Sequence, residues 1–294
     1  ADKIALNLGL SSNGPERIEA GILHTQQEAE DEGHTHMERR EIALQASTLL
    51  EAQAGEVENR IQSLLANGEL VTTHPDWLQF PSSSKAEQSI AKALKASLKT
   101  QSSLPSILID KAVEWAQAKA GFSFADAQSE GIRNALSSKV AILTGGPGTG
   151  KTTILRAIVS ILKAKKAKVL LAAPTGRAAR RMAESASHMA QTVHRLLKFD
   201  PAHGGFTVNE RAPLVCDFLI MDETSMLDIR LAAALFRSVP AHAHVLLVGD
   251  ADQLPSVGSG NVLNTNNCEI SICETRIKNK LIVFSAIDNL VKGA

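Results

Sequence analysis

The sequence predicts an α/β fold, a parallel sheet with helices on both faces, preceded by a mainly helical segment. Three observations carry this. Up to about residue 100 the apolar residues recur at helical spacing. Beyond it, short apolar runs alternate with helical patterns, the signature of a parallel sheet with crossover helices. Those runs, "KVAILTGG", "KVLLAAP", "CDFLIMDE" and "HVLLVGD", are continuous rather than alternating, as in strands buried on both faces.

In order along the chain, "PERIEAGILHTQQEAEDEG" places Ile18, Ile22 and Leu23 on one helical face and stops at Gly33. "ERREIALQASTLLEAQ" and "EVENRIQSLLANGEL" repeat the pattern, the second ending at Asn67-Gly68. "ELVTTHPDWLQFP" reads as a short hairpin. Two readings stand for this region, a winged helix and a plain helical accessory domain. "AEQSIAKALKASLKTQSSLPS" is a helix that runs into a Ser- and Pro-containing stretch. The domain boundary is expected there, giving 1–105 and 106–294, with a small hairpin insertion near 199–214.

In the second part, "GGPGTGKT" follows a strand and opens a helix. This is a P-loop in its confirming context. Glycines let backbone N–H groups curl around phosphate oxygens, and the helix N-terminus adds positive potential. The nucleotide-binding stretch is Gly145, Gly146, Pro147, Gly148, Thr149, Gly150, Lys151, Thr152 and Thr153. Lys151 reaches the phosphates as a point charge, and Thr152 can ligate Mg²⁺. "FLIMDE" ends in Asp222 and Glu223. Asp222 is the second candidate for the metal, and Glu223 the general base that polarises water. "VGDADQLPSVGSG" leaves the last buried strand with Asp250 and then Gln253. An amide can donate to phosphate and accept from water. Gln253 therefore joins Glu223 and Lys151 as a catalytic candidate, against the plainer reading of a loop cap. The expected cofactors are ATP and Mg²⁺.

Composition narrows the class. The 294 residues are 44% hydrophobic and 21% charged, as in a soluble globular protein. Lys+Arg and Asp+Glu both number 31, so any nucleic-acid surface must be local. The three cysteines are too few for a disulfide scaffold and show no zinc spacing. No signal peptide is visible, and no run of about eighteen apolar residues suggests a membrane span. A cytoplasmic setting is the expectation.

Taken in order, "GGPGTGKTT", "APTGRAARRM", "TVHRLL", "IMDETSML" and "VGDADQLPSVGSGNVL" resemble the RecD-like DNA helicases of superfamily 1. "RIEAGI", "EGHTHM" and "AEQSIAKAL" are similar to the region before the motor in the longer members. The resemblance implies a RecA-like P-loop NTPase domain and ATP-driven 5′-to-3′ movement on single-stranded or tailed duplex DNA, with a place in DNA repair. It implies that Gln128, in "ADAQSEGIRNAL", reads adenine. It implies phosphate contacts from Thr175, Gly176 and Arg177, and a strand contact from His194. Arg180 and Arg181 fit either a DNA contact or a solvated helix face. "KFDPAHGGFTVNERAPL" turns at Gly204-Gly205, as a duplex-splitting hairpin or a plain surface one.

After "GSGNVL" the likeness fades. The family continues into a Phe-Arg-Gln motif and a second RecA-like domain that lends an arginine to the site. Here "NTNNCEISICETRIKNKLIVFSAIDNLVKGA" lacks that motif, and Arg276 has the wrong neighbours. "LIVFSAIDNLVKG" keeps the outline of a helix. A chain that binds Mg·ATP and single-stranded DNA without unwinding alone is the expectation, its second motor domain missing or supplied by a partner subunit. The alternative is a non-catalytic binding remnant that works within a complex.

Overall fold

The computed structural model describes residues 14–74, 76–146, 148–202, 204–250, 258–260 and 282–285. The chain divides into two compact units, residues 1–88 with 256–260, and residues 89–255 with 261–294. The division falls within helix α4 (Pro81–Lys99).

In the first unit α1 (Pro15–Asp31) opens on a proline whose fixed φ suits a first helical turn. It ends where the sequence places the stop. Gly33 takes φ 100°, and the His34 N–H reaches back to the Ala29 carbonyl at 2.9 Å. This wrap satisfies a helix-end carbonyl and needs a residue tolerant of the left-handed region. Next come β1 (His36–Glu38), α2 (Arg39–Leu50), α3 (Ala54–Ala66) and the hairpin β2 (Val71–His74) and β3 (Trp77–Gln79). The three strands form an antiparallel sheet in the order β1-β3-β2. Helix, strand, helix, helix and hairpin follow in that order, a mainly helical unit with a small three-stranded sheet. β1 was not legible in the sequence, because a three-residue strand holds less than two periods of alternation. The core is Ile18, Ile22, Ile42, Ala46, Val57, Ile61, Leu64, Leu70 and Leu78.

The second unit holds α5 (Ile109–Ala120), α6 (Asp126–Ser137), β4 (Val140–Thr144), α7 (Lys151–Ala164), β5 (Val169–Ala173), α8 (Gly176–Ala186), β6 (Ala190–Thr192) and α9 (Val193–Leu196). A small hairpin follows, β7 (Phe199–Asp200) with β8 (Gly205–Phe206), pairing as expected around the two glycines. Then come β9 (Phe218–Met221), a short 3₁₀ turn (Thr224–Met226), α10 (Ile229–Ser238), β10 (His244–Gly249) and β11 (Ile282–Ser285). The sheet order is β11-β4-β10-β9-β5-β6. The five strands from β4 to β6 are parallel.

Every residue of β4, β9 and β10 is buried, which is why their sequences carry no alternation. Helices α6, α7 and α8 complete the core with Ile132, Ile154, Ile158, Leu162 and Met182. One expectation fails. Ile282–Ser285 is a strand antiparallel to β4, not helix. An apolar run of four residues fits either state, and a free sheet edge beside a β-branched pair decides for the strand. Among the described residues no helix is long and apolar enough to cross a membrane.

Candidate active site

The sheet order sets the site. β10 lies between the P-loop strand β4 and the acid-bearing strand β9, so three carboxyl ends open side by side. Ligands of open α/β sheets collect at such an edge. There the chain leaves β4 at Gly145 and Gly146, passes Gly148 (φ 79°) and Gly150 (φ 87°), and enters α7 at Lys151. Gly150 is held to glycine by its left-handed φ, and an added Cβ would also meet the Gln128 side-chain nitrogen. Thr149 donates its hydroxyl to the Gly146 carbonyl at 2.9 Å, and the Thr153 N–H bonds the Gly150 carbonyl at 2.9 Å. The Lys151 ammonium donates to the carbonyls of Gly145 and Gly146, the latter at 3.0 Å. It thus lies along the loop that would surround a phosphate.

Across β10, Asp222 and Glu223 emerge from β9. The Asp222 carboxylate accepts the Glu223 N–H at 2.9 Å. Glu223 takes φ 51°, an uncommon conformation for a side chain of its size. What holds it is the next residue. The buried Thr224 hydroxyl lies 3.1 Å from the Met221 carbonyl and 3.0 Å from the Val248 carbonyl, tying the acid turn to β10. Burial pushes the Asp222 carboxyl above its ordinary range, against the Glu223 N–H and the charges of Lys151 and Arg181. Burial also raises Glu223, with Asp222 beside it adding to the rise. Arg181, 3.6 Å away, and Arg177 pull the other way.

A cavity of about 770 Å³ joins these pieces, in the size range of small-molecule sites. It is lined by Gly146, Gly148, Thr149, Gly150, Lys151, Thr152, Asp222 and Glu223, with Arg181 and Met182 of α8 and Asp250 after β10. The donor set fits a Mg²⁺ ion completed by phosphate oxygens and water, since it offers one hydroxyl and one or two carboxylates. Among the described residues no cluster of three His, Cys, Asp or Glu side chains could hold a metal without a ligand.

The likeness to known proteins agrees with this geometry. Residues 128–259 match the AAA domain family, and residues 1–36 match the ATP-dependent RecD2 DNA helicase HHH domain. The chain is 32% identical over 273 residues to the ATP-dependent RecD2 DNA helicase of Deinococcus radiodurans, covering 88% of this chain and 38% of that one. It is 37% identical over 161 residues to the RecBCD enzyme subunit RecD of Mycobacterium tuberculosis, covering 47% of this chain and 28% of that one. The likeness is to the RecD-like DNA helicases. It spans well under half the length of these curated relatives. A crystal structure of the Pif1 helicase from Candida albicans is 26% identical over 46% of this chain and 34% of that one, at a TM-score of 0.37.

Within this RecD-like chain the sequence-derived candidates fall into two groups. Gly146, Gly148, Thr149, Gly150, Lys151, Thr152, Asp222 and Glu223 meet at the cavity, with Gly145 and Thr153 in the same loop and helix. Gln128 is braced against that loop. Its side-chain oxygen accepts the Ala125 N–H at 3.1 Å, and its nitrogen donates to the Thr149 carbonyl at 3.5 Å. Pro147, Gln253 and Arg276 lie outside the described residues.

The strand-contact candidates stand apart. Thr175 spends its hydroxyl on capping α8, accepting the Ala178 N–H at 3.2 Å, with Gly176 and Arg177 exposed beside it. His194 is exposed at the small hairpin, in a cluster with Phe199 at 5.9 Å and Phe206 at 5.8 Å. The structure separates the two arginines that the sequence left together. Arg180 pairs with Glu184 on the solvated face, and Arg181 turns to Glu223. Its spacing, four residues after Arg177, puts the two on one helix face without saying what that face meets.

Proposed function

We propose that this chain carries the Mg·ATP site of a 5′-to-3′ DNA helicase of the RecD-like family and binds single-stranded DNA beside it. The observation that carries the reading is the convergence of Lys151, Thr152, Asp222 and Glu223 on one cavity at the carboxyl edge of the sheet. In it, the α7 N-terminus and Lys151 hold the β- and γ-phosphates, Lys151 leaving the carbonyls it now faces. Thr152 and Asp222 would hold Mg²⁺, which would supply charge neutralisation at the phosphates. Glu223 takes the proton of the attacking water, its raised affinity for protons suiting a base. Gln128 braces the loop and reads adenine, and Gln253, four residues after β10 in the sequence, orients the attacking water. Thr175, Gly176, Arg177 and His194 contact the strand, with binding that weakens as salt rises.

The test pairs two substrates. Parent and Glu223→Gln chains are assayed for Mg·ATP hydrolysis with duplexes bearing 5′ or 3′ single-stranded tails. Hydrolysis stimulated by the strand and lost in the variant supports the reading, and a preference for the 5′ tail supports the polarity. Equal hydrolysis by parent and variant sinks it. The likeness to a RecBCD subunit favours a second reading, in which the chain binds nucleotide and DNA but turns over only within a complex. Tight Mg·ATP binding without strand-stimulated hydrolysis would select it.

A further inference from the structure

Two neighbouring exposed arginines on α8 do different things. Arg180 bonds Glu184 at 3.0 Å, one turn along its own helix. Arg181 leaves its helix, lines the cavity and stands 3.6 Å from the Glu223 carboxylate. Residues four apart share a helix face, so Arg177 stands on the Arg181 face one turn earlier. At its N-terminal end the same helix presents Thr175, Gly176 and Arg177. One face of one helix thus joins the candidate strand contacts to the carboxylate that would activate water.

We infer that Arg181 is a positioning residue that holds Glu223 back from the attacking water until a DNA phosphate at the start of α8 draws the arginine face away. The inference rests on the reading of Glu223 as the base and of Thr175 to Arg177 as phosphate contacts. A guanidinium facing a carboxylate fixes where it points. The pair is weak enough to release, its side chains being 70% and 29% exposed. Phosphate and carboxylate compete for the same guanidinium geometry, so a strand seated at Arg177 changes the hold on Glu223 without touching it. Glu223 itself cannot drift far, because its left-handed backbone is tied down by Thr224.

The test uses the whole chain and two independent readouts. In steady-state hydrolysis of radiolabelled Mg·ATP, Arg181→Ala should raise the DNA-free kcat about two- to five-fold, the factor a partly exposed ion pair is worth. KM should stay, and stimulation by oligo(dT) should fall by the same factor. Arg181→Lys, which keeps the charge without the planar fork, should lie between. A merely structural arginine would lower kcat or raise KM instead. NMR of the ¹⁵N-labelled arginine side chains needs no turnover. The Arg181 Nε–H signal should move on adding oligo(dT), and Glu223→Gln should move it the same way.

A DNA-free kcat unchanged or lowered in Arg181→Ala, with stimulation intact, overturns the inference. So does an Arg181 signal indifferent to saturating oligo(dT). Glu223→Gln hydrolysing like the parent, or oligo(dT) failing to bind, would instead fell the underlying reading, and the inference with it.

Discussion

The two edges of the parallel sheet are built to different ends. At the amino edge, where β9 and β10 begin, polar groups are closed on one another. Asp217 accepts the Ser103 hydroxyl at 2.7 Å and the Lys168 N–H at 2.8 Å. These bonds and the nearby cations outweigh its burial and hold its carboxyl below the usual range. Lys139 donates to the carbonyls of Ala241 and His242, and His244 is held between Ser102 and the Ser138 carbonyl. Beside them burial, aided by the Asp217 charge, pushes the Cys216 thiol up to about 12, an inert group. At the carboxyl edge the carboxylates of Asp222 and Glu223 are raised, not lowered, and Lys151 donates to carbonyls of its own loop. The same strands thus end in settled polar groups on one side and, on the function proposed above, in groups that a ligand would partner on the other. On that reading stability is concentrated at one edge and chemistry at the other.

The largest break of that contrast is Lys151→Ala. It should weaken Mg·ATP about ten- to a hundred-fold, the worth of a hydrogen bond to a charged group, seen by calorimetry. Its unfolding free energy should stay within about 0.5 kcal/mol of the parent's. The mirror experiment is Asp217→Ala at the amino edge. It should cost about 1–3 kcal/mol in a urea titration, because the Ser103 hydroxyl and Lys168 N–H lose a charged acceptor. Its nucleotide affinity should be that of the parent. A fall in both properties for either variant would show that the edges are not separate.

Much of this contrast was legible before any coordinates. Continuous apolar runs ending in Gly145, Asp222 and Asp250 place three strand ends, and the P-loop spacing names the ligand class. Strand order was not legible, since no local pattern says that β10 inserts between β4 and β9. The partners of the amino edge were hidden for the same reason. Ser102 and His244 are 142 positions apart, and their hydrogen bond exists only once the sheet is assembled. Arg181 was visible as a charge but ambiguous in direction, because helix spacing tells which residues share a face and not what that face meets. The first unit was half legible. Its capping signals at Gly33 and Asn67-Gly68 were plain, and β1 was not.

Gly150→Ala sharpens the carboxyl-edge side. The left-handed φ of 87° costs an alanine about 1–2 kcal/mol wherever the new methyl points. The methyl would also meet the Gln128 side-chain nitrogen. That atom ends a flexible side chain and can move, so the clash is the cheaper part. The double variant Gly150→Ala with Gln128→Ala should therefore recover only a fraction of the lost stability. Full recovery would mean that the backbone there tolerates an L-residue, and that the side-chain contact alone demands glycine.

The smallest effect is a slope with pH, and it belongs to the amino edge. Burial lowers His244 to about 4, with the nearby Lys139 charge acting the same way and the Ser138 carbonyl opposing. Its ordinary value is 6.5. Above 6.5 the ring is neutral in both the folded and unfolded chain, so it carries no pH dependence. Between 6.5 and about 4 the unfolded chain takes up a proton that the folded chain refuses, and stability must fall with falling pH. One proton sets the limit, at most about 1.4 kcal/mol per pH unit. Asp217 acts in a lower window, because a carboxyl held below its ordinary 3.8 gives up its contribution only as pH falls past that value. The two amino-edge groups are therefore separable by pH alone. Urea titrations of parent and His244→Asn at several pH values from 7 to 4.5 should show a steeper loss in the parent and a flatter profile in the variant. Parallel profiles would mean that water or a local opening lets the folded ring take its proton, and that the amino edge is less closed than its hydrogen bonds describe.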